Sequence, residues 1–103
     1  MLISKPKLFY EVRVTQFKNG IKNEDRRFFK KKKIAYTLFL DTEKIILTKY
    51  KDYKKIEIDE NNYSEILDDK QYYLIQKVTY SSIRSKNILD DSMIVEIFEC
   101  ILV

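Results

Sequence analysis

The sequence predicts a mainly β domain shading to α+β, and three observations carry that expectation. Apolar and polar residues alternate with a period of two over residues 8–17. The pair Asn19-Gly20, a strong hairpin-turn signal, follows directly. The apolar runs further on are separated by only a few residues, which suits hairpins and a meander better than parallel crossovers. The expected architecture is an antiparallel curved sheet or partly open barrel of about six strands with one or two short helices. With 103 residues, the chain is read as a single domain over 1–103, large enough to fold without metal or disulfide staples.

Taken in order, residues 8–17 form the first strand. Leu8, Tyr10, Val12 and Val14 share one face and Glu11, Arg13 and Thr15 the other, the pattern of a sheet with one wet face. Residues 22–33 are mostly charged and read as a long loop or protruding arm. Residues 34–40 and 44–50 are apolar and β-branched, so they read as two strands joined by a tight turn at Asp41, Thr42 and Glu43. A short strand is expected over 53–58. Asn62, with Glu65 three residues on, makes an imperfect capping box for a short helix over 62–69 that buries Tyr63, Ile66 and Leu67. Residues 71–80 read as a strand with Tyr72, Leu74, Val78 and Tyr80 on one face, and 81–92 as a polar connection. Residues 93–103 are apolar except Glu96 and Glu99, which predicts a strand in the middle of the sheet.

Composition narrows the function classes. There is no histidine, which removes the commonest general base and metal ligand. Gly20 is the only glycine, so phosphate-cradling and dinucleotide-binding loops are excluded. Cys100 is the only cysteine; it has no histidine partner and lies in an apolar strand, where core packing is the expected role. Asp68-Asp69 and Asp90-Asp91 with Asp59 and Glu60 are the only carboxylates to weigh as a cation site. Turns and helix ends favour Asp in any case, so neither a metal nor a cofactor is expected. No apolar run reaches the roughly 18 residues of a membrane span, and residues 1–10 lack the features of a secretion signal. The expectation is a cytoplasmic protein with no membrane partner. The bias toward Lys, Ile, Asn, Tyr and Phe fits AT-rich coding, as in a low-GC bacterium or a phage or mobile element living in one.

Charge is the most informative feature. Residues 1–55 carry 16 Lys or Arg against 6 Asp or Glu, a net of +10, while residues 56–103 carry a net of −6. Two runs hold the basic excess. One is Arg26, Arg27, Lys30, Lys31, Lys32 and Lys33 around Phe28 and Phe29; the other is Lys49, Lys51, Lys54 and Lys55 around Tyr50 and Tyr53. A hairpin of 34–40 with 44–50 would carry both runs to one end as a single cationic and aromatic patch. Such a patch suits a non-enzymatic binding protein. One form is an inhibitor of the anti-CRISPR kind, encoded by a phage or mobile element, that docks on an acidic protein surface or a protein–nucleic-acid complex. The alternative is direct, sequence-tolerant nucleic-acid binding, since Lys outnumbers Arg 16 to 4 and Arg is the preferred base reader. A second alternative is a small metal-independent nuclease built on Arg26, Arg27, Lys54 and Tyr53. The bland reading of both runs is a solvated lysine-rich surface.

Overall fold

The computed structural model describes residues 8–60, 64–67, 70–84, 87 and 90–102. They form one antiparallel sheet of six strands crossed on one face by a single helix. The elements are β1 (Leu8–Lys18), β2 (Ile21–Phe29), α1 (Lys32–Lys49), β3 (Tyr53–Glu60), β4 (Ser64–Leu67), β5 (Lys70–Ser82) and β6 (Asp91–Leu102). The strand order is β2-β1-β6-β5-β3, with β4 also paired to β5. β2 and β3 are the two edges and do not pair, so of the two expected forms the sheet is the open one and not a barrel.

The mainly β class is as expected. β1, β3, β5 and β6 coincide with predicted strands, and β6 sits centrally between β1 and β5. The other two strands are not the expected ones. Residues 22–29 are no loop: the hairpin continues through Phe29, with Tyr10 opposite Phe29 and Lys18 opposite Ile21. Asn19 and Gly20 both have positive φ (53° and 78°), as a type I′ turn requires. β2 tolerates its charges because they pair in opposite signs, Lys22 with Glu24 at 3.6 Å and Arg27 with Asp25 at 3.3 Å. The expected helix over 62–69 is also not formed. Residues 64–67 are strand β4 beside 70–73 of β5, while the cap residue Asn62 and Asp68-Asp69 lie outside the described residues.

The largest correction falls on 34–50. The two predicted strands and their turn are one continuous helix of 18 residues. Ala35, Phe39 and Ile46 recur at helical spacing and are the helix's buried residues. Asp41-Thr42-Glu43 holds no glycine, asparagine or proline, and the helix runs through it unbroken. The β-branched threonines are accommodated because each hydroxyl donates to a carbonyl four residues back: Thr37 to Lys33, Thr42 to Leu38 and Thr48 to Lys44, at 2.7–2.9 Å.

The sheet has a hydrophobic cluster on each face. Under α1 lie Tyr10 and Val12 of β1, Val95 and Ile97 of β6, Val78 and Tyr80 of β5 and Tyr53 of β3. On the helix-free face, Tyr72, Leu74, Phe98 and Cys100 form a smaller cluster flanked by Phe9. A bulge between Leu74 and Gln76 separates the two sets along β5. Tyr72 and Leu74 therefore do not share a face with Val78 and Tyr80, as simple alternation predicts.

Candidate interaction surface

The helix decides where the cations go. An 18-residue helix spans about 27 Å. Lys30–33 lie at its start, Lys49 is its last residue and Lys51, Lys54 and Lys55 lie beyond its end, so the two runs occupy opposite ends of this helix. The single combined patch is not formed, because the turn that would have created it is a helical segment.

The strand period then divides the first run. In the register of the β1–β2 hairpin, Arg26 and Phe28 stand beside Arg13 and Glu11 on the helix-free face. Arg27 and Phe29 stand beside Val12 and Tyr10 under the helix. On the helix-free face Glu11 is fully buried. It accepts hydrogen bonds from Arg13 Nε at 2.7 Å and from Arg26 Nε and Nη2 at 2.9 and 2.5 Å. The Arg13 guanidinium covers the Phe98 ring at 4.5 Å, and that of Arg26 lies 5.7 Å from Phe28 and 6.0 Å from Tyr72. Bonding to Glu11 raises the Arg26 pKa further, so its charge is fixed. Phe28 packs on Phe9 at 5.9 Å and remains half exposed.

On the helix side, Arg27, Phe29, Lys33, Ile34, Thr37, Leu38 and Asp41 line an open groove of about 440 Å³ between β2 and α1. Its lining is mostly apolar, Ile34 is exposed, and Arg27, Lys33 and Asp41 are its charged members. Lys31 is the N-cap residue of α1 and makes no side-chain cap, and the first turn contains no acidic residue. Among the described residues, no carboxylate pairs with Lys30, Lys31, Lys32 or Lys33. This is an adverse arrangement, because the positive end of the helix dipole meets a block of positive side chains.

The second run is arranged differently. Lys49 lies over the Tyr50 ring at 5.6 Å. Tyr50 stacks on Tyr53 at 4.7 Å between centroids. Tyr53 is buried, its hydroxyl donates to Asp91, and burial with that bond pushes its pKa up. Its ring is therefore closed to an external base. Lys51, Lys54 and Lys55 are exposed. A neighbouring cleft of about 570 Å³ is lined by Lys18, Asn19, Asp52, Ser82, Arg84, Asp90 and Asp91, so carboxylates offset the cations there.

The four residues weighed for a nuclease do not converge. Arg26 and Arg27 point to opposite faces of β2, and Tyr53 and Lys54 belong to β3, four strand spacings or about 19 Å away. Glu11 and Arg13 are the members of the surface that composition alone did not single out. The signal was present: Asn19-Gly20 sets a register with Arg13 opposite Arg26, and two guanidiniums side by side need a carboxylate, for which Glu11 is the diagonal neighbour. Among the described residues, no helix is long and apolar enough to cross a membrane. Compared with known proteins, the chain matches no family model, no curated protein and no solved structure.

Proposed function

We propose that this is a binding protein whose β2–α1 corner docks on an acidic protein surface. The observation that carries the reading is the block Lys30–33 at the start of α1. These cations have no carboxylate partner among the described residues and lie beside an apolar groove with exposed Ile34. A fold that keeps such charges together without internal compensation gains from an external anionic partner. The groove supplies what a protein partner needs, apolar anchorage with charged residues beside it. An inhibitor encoded by a phage or mobile element, acting by occlusion, fits the size and composition.

Protein docking is favoured over direct nucleic-acid binding by the fate of the aromatics. Phe28 and Phe29 face opposite sides of β2, and Tyr50 and Tyr53 stack on each other, so the cations lack an adjoining row of open rings for bases. The test captures partners from a bacterial lysate with the wild-type chain and with Lys30→Glu/Lys31→Glu/Lys33→Glu. The expected result is a defined acidic partner lost in the variant, with salt-sensitive capture. Capture that is unchanged in the folded variant overturns the reading. A gel shift of single-stranded or duplex DNA by the protein alone, falling steeply with salt, would put nucleic-acid binding in its place.

A further inference from the structure

We infer that the protein forms a symmetric dimer by antiparallel pairing of β2 with β2 of a second copy, giving one continuous sheet. The inference is independent of the acidic-partner reading above.

The two edges of the sheet differ. β3 carries the usual protection against edge pairing: a register shift between Lys55 and Glu57, with exposed Lys54 and Lys55. β2 is charged too, with Lys22 exposed, but it lacks the bulge. It is nine residues long, has no proline, keeps unbroken register with β1, and is exposed from Ile21 to Phe28. Its open side presents a regular set of backbone groups. Across the two-residue turn, Lys18 and Ile21 are a mutually hydrogen-bonded pair, and such pairs alternate along the ladder. The Asn19 N–H agrees with this parity, since it points away from β2 to the Asp90 carbonyl at 2.8 Å. Ile21, Asn23, Asp25, Arg27 and Phe29 therefore bond to β1, while Lys22, Glu24, Arg26 and Phe28 direct their N–H and C=O groups outward.

The side chains of β2 complement themselves when the strand is reversed. With the two-fold axis at Asp25, Glu24 lies opposite the partner's Arg26, Lys22 opposite the partner's Phe28, and Ile21 opposite the partner's Phe29. The four outward residues fall opposite one another, so each of those pairs exchanges two backbone hydrogen bonds. Shifting the register by two residues either way sets Arg26 against Arg26 or Glu24 against Glu24. In the chosen register the one directly opposed like-charge pair is Asp25 with itself, and Arg27 sits on the diagonal from each copy; Arg27 already reaches its own Asp25 at 3.3 Å. The axis is perpendicular to the sheet, so both helices lie on the same side. The β2–α1 grooves then face each other, and Ile34 and Leu38 of both copies wall a shared trough.

Sedimentation equilibrium of the full chain over a hundredfold concentration range tests the inference. The expected result is a mass approaching twice 12.5 kDa, with Asp25→Asn dimerising more tightly by about threefold or more. Glu24→Pro removes an outward N–H that β1 does not use, and it should weaken the dimer at least tenfold while the circular dichroism stays native. Should that variant fail to fold, cysteine cross-linking carries the test. At the axis the Cα atoms of a non-hydrogen-bonded pair stand about 4.5 Å apart, within disulfide reach. Asp25→Cys should therefore oxidise to a linked dimer with copper–phenanthroline, and Asn23→Cys and Arg27→Cys should not. A monomer at every concentration, a dimer indifferent to a folded Glu24→Pro, or equal cross-linking at all three positions overturns the inference.

Discussion

Replacing Glu11 with glutamine keeps its shape and removes its charge. The carboxylate is fully buried, while Arg13 and Arg26 retain 15 % and 37 % of their side-chain exposure. Three charge-assisted hydrogen bonds converge on it. Removing one partner of a buried ion pair costs about 3–5 kcal/mol. Because both guanidiniums keep some water, the lower end applies, about 3 kcal/mol. For a domain of this size that is a fall in Tm of roughly 12–24 °C. Arg26→Ala should cost less, about 1–2 kcal/mol, since Arg13 still neutralises Glu11 and Arg26 is the better solvated arginine. Urea unfolding at pH 7 followed by tyrosine fluorescence and circular dichroism measures both. A loss below about 1 kcal/mol for Glu11→Gln, or one no larger than that of Arg26→Ala, would refute the claim that the buried carboxylate organises this face.

Further expectations follow from individual residues. Gly20 has φ +78° with nothing within 4 Å of an added Cβ, so Gly20→Ala should lose about 1 kcal/mol from backbone strain alone, read as a lower urea midpoint with unchanged slope. The Cys100 thiol is buried and pushed up to about 12, so it should resist a thiol reagent at pH 8 until the chain unfolds; labelling of the native protein at the rate of a free thiol would contradict its placement. Burial raises the Glu96 pKa, with Glu11 and Glu24 adding to the rise and Arg13 and Lys77 opposing it. The folded state therefore holds that proton more tightly than the unfolded chain. Glu96 favours folding most below the usual carboxylate value, and that advantage declines as pH rises through its raised value. Glu96→Gln should gain stability relative to wild type across that window, as thermal melts at a series of pH values would reveal; a constant difference from acid to neutral pH would contradict this.

The four strands legible in the sequence owe their legibility to burial. Tyr10, Val12, Val78, Val95 and Ile97 sit where a period of two puts them against a covering layer. β2 was hidden because it buries almost nothing. Its order comes from a turn and from ion pairs between neighbours two residues apart, and a run of charges looks alike in a loop and on an edge. α1 was hidden for the opposite reason. Ile34, Leu40, Ile45 and Leu47 are exposed, so the helix is apolar on most sides and the stripe of Ala35, Phe39 and Ile46 does not stand out. Its branched residues then imitate two strands. The basic runs could be found by counting, but whether they meet depends on the direction of the chain between them, which rested on that one misread segment.

The single extra residue in β5 at Ile75 sets how this domain tolerates change. With that insertion, one strand serves two surfaces in turn: Val78 and Tyr80 to the helix layer, Tyr72 and Leu74 to the bare side. Deleting Ile75 would make Leu74 and Gln76 neighbours, still opposite Phe98 and Ile97, so the ladder would run on without a bulge and neither side would turn over. Tyr72 would keep Cys100 opposite it, and Arg26 would keep the ring beneath it. A one-codon deletion at this position would thus cost only the Ile75 side chain packed against the helix-side cluster, whereas a deletion elsewhere in β5 would turn a run of its side chains to the wrong face.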